Sequence, residues 1–230
     1  MAKSKKSTSD QTRAKRVIEF LSLGFKDYIG ARILLLNHLP LQGATLGSSA
    51  VEKYIKAILS IRGERSEDHL NSAQLKSLKN YVPDLANKLN FDFLVFLRNC
   101  YKLRYTDTLP PDFNVTIYAR ETLAELDHTI FSMEFQVNVR KSDSTEITTR
   151  YRGVLKSKDP RLLNENHVLN QQDKTDFLKK PDTGYEIRNR PGFGLLEVEF
   201  RVFESPLDGK FCREALRPQS GNNSFVIKEP

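Results

Sequence analysis

The chain has 230 residues and a net charge of +7, and this length is enough for one or two domains with a buried core. No stretch approaches the ~20 consecutive apolar residues that a membrane helix needs. The basic, polar N-terminus also lacks the apolar segment of a secretory signal. Cys100 and Cys212 lie far apart and outside any CxxC pair. The sequence therefore indicates neither a zinc site nor a disulfide framework, and a reducing cytoplasm is the expected location.

Much of the positive charge lies at the N-terminus. Residues 1–16 contain six Lys or Arg side chains and one acid, whereas the net charge is −1 over residues 17–135 and +3 over residues 136–230. We expect residues 1–12 to form a disordered basic tail. Such a tail could help to hold nucleic acid, and the alternative is a solvated segment that only aids solubility.

Over residues 13–132, apolar side chains recur at spacings of three and four, which is typical of amphipathic helices. The predicted helices cover residues 13–37, 43–62, 73–80, 91–105 and 113–132. Pro40 separates the first two, Gly63 is a suitable stop for the second, and Ser72 can cap the third. Four or five helices joined by short links predict an up-and-down bundle.

Beyond residue 132 the apolar spacing changes to two, which is typical of strands. The predicted strands cover residues 133–140, 147–155, 195–203 and 224–228. The intervening segment 156–193 is rich in Pro and Gly, and we expect loops there with a short helix near 161–169. The sequence thus predicts an α+β protein, with a helical bundle over 13–132 followed by a small, irregular, mostly antiparallel β domain over 133–230.

The fourth predicted helix contains an unusually polar run, FLRNCYKLRYTD, at residues 96–107. Helical spacing gives it an apolar face of Phe93, Phe96, Leu97, Cys100 and Leu103. It gives a second face of Arg98, Tyr101, Lys102 and Tyr105. A planar guanidinium and two aromatic rings suit a phosphate and a stacked base. The alternative is an ordinary surface face whose cations pair with carboxylates such as that of Glu52.

Several short motifs occur in an order that resembles the HEPN family of small helical bundles. They are VEKYIKA at 51–57, Gly63, Asp68-His69-Leu70, and Arg104-Tyr105-Thr106-Asp107. The resemblance covers residues 13–132. It implies a homodimer, and many family members are metal-independent RNases in which an Arg precedes a His by four to six residues. Some are toxins that a nucleotidyltransferase antitoxin silences by adding AMP to a motif Tyr, and others are inactive RNA- or nucleotide-binding modules.

The family motif transfers to this chain only in part. Arg98 matches the leading Arg, Asn99 the polar residue after it, and Tyr105 the Tyr that the antitoxin modifies. At the shortest family spacing the His position is Leu103. The longer spacings give Arg104 and Tyr105, so none of these positions is a His. Proton transfer near pH 7 is a task for His rather than for Arg or Leu. A Tyr with a strongly lowered pKa could replace it.

Three functional hypotheses follow. The first is an RNA- or nucleotide-binding protein with impaired catalysis, related to toxin–antitoxin or defence systems, whose ligand contacts Arg98, Asn99, Tyr101, Lys102, Arg104 and Tyr105. The second is an RNase toxin that uses Arg98 as a catalytic residue at a homodimer interface. The third is a purely structural helical dimer. We expect no cofactor and no metal site, because the four histidines show no ligand spacing, while a nucleotidyltransferase antitoxin is an implied partner.

Overall fold

The computed structural model describes residues 10–64, 70–105, 107, 109–110, 113–138, 140, 146–190 and 192–213. Within these ranges the helices are α1 Asp10–Leu36, α2 Pro40–Ile61, α3 Ser72–Tyr81, α4 Pro83–Ala86, α5 Phe91–Lys102, α6 Ala119–Gln136, α7 Arg150–Lys156, α8 Pro160–Leu163 and α9 Lys174–Leu178. The strands are β1 Asn114–Tyr118, β2 Asp182–Arg190 and β3 Gly194–Val202. The protein is therefore of mixed α and β structure.

The first two helices pack closely against each other along their lengths. Small residues make the approach possible: a Cβ atom on Gly30 would lie 2.7 Å from Leu46 Cδ2, and one on Gly43 would lie 2.7 Å from Leu35 Cγ. Pro40 begins α2, where its missing N–H costs no helical hydrogen bond. The predicted break between the two helices is thus confirmed, and Gly30, an unfavourable residue for an isolated helix, allows this packing.

The three strands form one antiparallel sheet in the order β1-β2-β3. One face of β1 and β2 is buried in the core, through Val115, Ile117, Tyr185 and Ile187. The predicted boundary between two domains, at residue 132, falls within α6. β1 precedes that boundary in sequence, whereas β2 and β3 follow it. The sheet therefore combines strands from both predicted domains.

Two of the predicted strands are wrong, because helices occupy their sequences. The segment predicted as a strand over 133–140 continues α6 to Gln136, and the one over 147–155 is largely α7. Met133 and Glu134 are both fully buried. Tyr54 donates a hydrogen bond of 3.0 Å to Glu134, and Thr149 both donates to Glu134 and caps α7 by accepting from the Arg152 N–H. These contacts favour a helix where the apolar alternation indicated a strand.

Two further corrections concern the sheet. The predicted helix over 113–132 is the strand β1 in its first part and α6 only from residue 119 onward. The segment 156–193, predicted as loops with a short helix, contains α8, α9 and the nine-residue strand β2. β3 confirms the strand predicted over 195–203. The strand predicted over 224–228 and residues 1–9 of the predicted tail lie outside the described residues. Residues 10–12 of that tail, predicted to be disordered, belong to the first turn of α1.

A fully buried ion pair joins α1 to α6 and to the turn that follows α8. Arg32 donates to the Asp127 carboxylate and to the backbone oxygens of Asn164 and Arg161, the last at 3.2 Å. Tyr28 donates a hydrogen bond of 2.7 Å to the other Asp127 oxygen. Burial disfavours the guanidinium charge, but Asp127 and Tyr28 outweigh this effect, and the pKa of Arg32 is raised. Arg32 is therefore charged and bound through each of its three nitrogens.

Replacing Arg32 by Met should destabilise the protein by about 3–5 kcal/mol, because it leaves the buried Asp127 carboxylate without its cation. Urea denaturation followed by circular dichroism measures the change. The matched control is Arg62→Met, since Arg62 is exposed at the end of α2, and it should stay within about 0.5 kcal/mol of the wild type. Equal losses in the two variants would contradict this account.

Candidate functional site

The helix α5 has an apolar face that is buried and a polar face that is not. Asn90 caps its start, because the Asn90 side-chain oxygen accepts from the N–H groups of Asp92 and Phe93 at 3.0 and 3.2 Å. The predicted apolar face is confirmed, since five residues are at most 5 % exposed: Phe93, Phe96, Leu97, Cys100 and Leu103. Leu103, where the HEPN resemblance would place a His, is therefore part of the core.

The segment 205–213 returns to cover α5, and nothing in its sequence pattern predicted this contact. The backbone N–H groups of Phe211 and Cys212 both donate to Asp92, and the Phe211 ring lies 4.8 Å from the Phe93 ring. Burial opposes the Asp92 charge, but the two N–H groups outweigh it and lower the pKa of this carboxyl. Arg213 then forms a two-bond ion pair with Glu121 on α6, at 2.9 and 2.8 Å. The segment 205–213 thus connects the start of α5 to α6.

Arg98 and Asn99 lie at the border between the buried and the exposed face of α5, and both are half-buried. Arg98 Nη1 donates a hydrogen bond of 3.1 Å to the hydroxyl of Ser72. Ser72 is the first residue of α3 and not its cap as predicted, because the Asn71 side chain accepts from the Gln74 N–H at 2.8 Å. Asp68 and His69, which contribute to the HEPN resemblance, lie outside the described residues.

The tyrosine–arginine cluster, formed by Tyr101, Arg104 and Tyr105, lies at the end of α5. The Arg104 guanidinium is 5.1 Å from the Tyr101 ring centroid. The rings of Tyr101 and Tyr105 are 6.3 Å apart at an angle of 60°. α5 ends at Lys102 rather than at the predicted residue 105, so Arg104 and Tyr105 belong to the turn after the helix. Tyr105 nevertheless lies beside Tyr101, as the predicted spacing required.

The tyrosine–arginine cluster is open to solvent, and Lys102 extends its positive charge. Tyr105 is 51 % exposed, and Lys102 and Arg104 are also exposed. The carboxylate of Glu52 on α2 forms an ion pair of 2.6 Å with Lys56. The cluster therefore presents aromatic rings and cationic donors on one surface.

Tyr101 is not suited to act as a base. Burial, a side-chain hydrogen bond with Tyr105 and an electrostatic interaction with it raise the pKa of Tyr101, and the cation of Arg104 only partly opposes this. The hydroxyl group is therefore protonated near neutral pH. For Tyr101, the expectation that a Tyr with a lowered pKa could replace the missing His is wrong.

A second candidate site for a charged ligand is less favourable, because two of its cations are already paired. A groove of about 850 Å³ runs beside the end of α1, with Arg161 and Lys180 in its wall. Arg161 is already paired with Asp159, and Lys180 lies 3.6 Å from Glu165. Within the described ranges, no three His, Cys, Asp or Glu side chains gather so as to hold a metal ion. None of the described helices combines the length and apolar character that a membrane span requires.

Comparisons of the chain with known protein families, with curated proteins and with solved structures found no match. The HEPN resemblance therefore rests on the motifs of this sequence alone.

Replacing Leu103 by His would recreate the family motif and should destabilise the protein by about 2 kcal/mol or more, because it removes buried aliphatic contacts and buries a polar ring. Urea denaturation measures the loss. Lys102→His places the same ring one residue earlier on an exposed position and should change the stability by less than about 0.5 kcal/mol. A Leu103→His variant as stable as Lys102→His would show that Leu103 is not a core residue.

Proposed function

We propose that the protein binds single-stranded RNA through the exposed face at the end of α5, using Arg98, Asn99, Tyr101, Lys102, Arg104 and Tyr105. The observation that carries the proposal is the open tyrosine–arginine cluster, in which Tyr105 is half exposed beside a ring that Arg104 already contacts. A helix whose opposite face is buried holds this cluster in place.

The chemistry of the cluster fits the two parts of a nucleotide. An exposed aromatic ring stacks on any base and contributes about 1–3 kcal/mol per base. Lys102 and the guanidinium groups of Arg98 and Arg104 can contact phosphates, and a guanidinium does so with two parallel hydrogen bonds. Neutralised phosphates release bound counterions, so the binding should weaken with salt.

Cleavage of the RNA is not favoured. The motif position of the catalytic His is the buried Leu103, and the pKa of Tyr101 is raised rather than lowered. Arg98 could stabilise charge on a phosphate but cannot move a proton near pH 7. We therefore propose a binding protein with impaired catalysis rather than an RNase toxin.

The HEPN resemblance extends this proposal to partners. It implies a homodimer and a nucleotidyltransferase antitoxin that would add AMP to Tyr105. The exposure of the Tyr105 side chain is compatible with such a modification, which would cover part of the proposed RNA surface.

The Tyr105→Ala variant should bind a labelled 20-nucleotide RNA between about 5-fold and 150-fold more weakly than the wild type, because one base loses its stacking partner. Fluorescence anisotropy in EDTA at a fixed salt concentration measures the affinity. Tyr81→Ala is the matched control, since Tyr81 is 43 % exposed at the far end of α3 from the Ser72–Arg98 contact, and it should bind like the wild type.

Three outcomes would contradict the proposal. They are a wild-type protein that binds no RNA, equal losses in Tyr105→Ala and Tyr81→Ala, and cleavage of the RNA in EDTA that disappears in Arg98→Ala. The last result would instead support the RNase hypothesis. Competition by free AMP in the same assay distinguishes a nucleotide site from an RNA surface.

A further inference from the structure

The strand β3 forms one edge of the sheet, and its sequence is unusually suited to pairing with a further strand. No described strand lies on its outer side. It is nine residues long and pairs with β2 over its whole length without a bulge. Its interior also lacks Pro and Lys, which commonly protect sheet edges. Apolar side chains remain partly exposed along it, with Leu195 at 37 %, Leu196 at 36 % and Val198 at 43 %.

The register of the sheet identifies which backbone groups of β3 point outward. In antiparallel strands, alternate residues direct their N–H and C=O groups to opposite sides. The Asn189 N–H donates to the Phe113 carbonyl at 2.8 Å, so the odd-numbered residues of β2 face β1 and the even-numbered ones face β3. Because Glu186 lies opposite Val198, the even-numbered residues of β3 bond to β2. The N–H and C=O groups of its odd-numbered residues therefore point away from the sheet.

The side chains of β3 divide in the same alternating way. Residues 196, 198, 200 and 202 are apolar and share one face of the sheet. On that face, Phe200 packs over Gly184 and lies 5.8 Å from the Tyr118 ring. Glu197, Glu199 and Arg201 lie on the opposite face. An apolar row and a charged row thus run along the same open edge.

We propose that two copies of this chain pair through their β3 strands, antiparallel to each other and about a two-fold axis at Phe200. A two-fold axis requires antiparallel pairing and brings the same strand from each copy together. When the axis lies at Phe200, Glu199 of each copy faces Arg201 of the other, which gives two such pairs. Val198 of each copy likewise faces Val202 of the other. The two three-stranded sheets then form one continuous sheet of six strands.

Among two-fold axes placed on residues 197–201, charge complementarity favours this register. Pairing centred on Glu197, Glu199 or Arg201 places that residue opposite its own copy. Pairing centred on Val198 places Glu197 opposite Glu199. Like charges directly opposite each other are destabilising, whereas opposite charges stabilise a strand pair by about 0.2–1 kcal/mol. If the two-fold axis lay midway between two residues, each residue whose N–H and C=O groups point outward would face a residue of the second copy whose groups point toward β2. Such a pairing cannot form a regular hydrogen-bond ladder.

Disulfide cross-linking tests the register directly. In a Cys212→Ser background, which removes the exposed native thiol, the variants Val198→Cys and Val202→Cys are prepared separately. Each alone should fail to cross-link, because the two copies of either residue lie four positions apart, on the order of 13 Å along the strand, which is beyond disulfide reach. Mixed and mildly oxidised, they should form a covalent dimer on a non-reducing gel.

Charge variants test the same pairing in solution. Arg201→Glu should weaken the dimer by about tenfold or more in analytical ultracentrifugation, since two attractive pairs become repulsive. The double variant Glu199→Arg with Arg201→Glu should restore it. The matched control is Arg62→Glu, which lies outside the sheet at the end of α2 and should dimerise like the wild type.

A wild-type protein that is monomeric throughout a concentration series would overturn the proposal. Cross-linking between two Val198→Cys chains would also overturn the proposal. It would show a register centred on Val198, in which Glu197 faces Glu199 of the second copy. A dimer that is insensitive to Arg201→Glu would place the interface elsewhere. None of these results depends on RNA binding, since β3 contains no residue of the proposed RNA surface.

Discussion

The buried contact between Arg32 and Asp127 connects parts of the chain that lie far apart in sequence. Arg32 on α1 reaches Asp127 on α6 and two carbonyl groups in and after α8, so one guanidinium joins three segments. A charge this deep in the protein is tolerated only when its partners are all in place. The contact therefore fixes α6, and the N-terminus of α6 in turn fixes the sheet, because the Arg120 N–H donates to Asp182 at the start of β2.

The candidate RNA surface depends on this framework through α5. The apolar face of α5 fills the core, while the segment 205–213 binds Asp92 and then pairs Arg213 with Glu121 on α6. Leu103 belongs to the buried face, and Tyr101 and Tyr105 lie on the open one. The position where the HEPN resemblance would place a His is thus used for packing.

Sequence patterns predicted those elements whose apolar spacing is regular. This holds for α1, α2, α3 and α5, and for β3 with its strict alternation. The patterns failed where distant contacts decide the structure. Alternation over 133–140 indicated a strand, but Tyr54 and Thr149 bind Glu134 and favour a helix. β2 was missed because most of its side chains are polar or charged, and its identity depends on pairing with β1 and β3.

The candidate site was predictable in part for the same reason. Helical spacing was enough to separate the buried Leu103 from the half-buried Tyr101 and the exposed Tyr105, since these residues are close in sequence. The contact of Arg104 with Tyr101 and the cover provided by Phe211 depend on the turn after α5 and on a segment more than a hundred residues away. No local pattern carries that information.

Photo-cross-linking tests the central claim most directly. A 20-nucleotide RNA carrying 4-thiouridine is irradiated with the protein, and the modified peptides are identified by mass spectrometry. If the end of α5 is the RNA surface, the adducts will lie on the peptide that contains Tyr101 and Tyr105. Adducts confined to other parts of the chain, such as the β2–β3 hairpin, would contradict it.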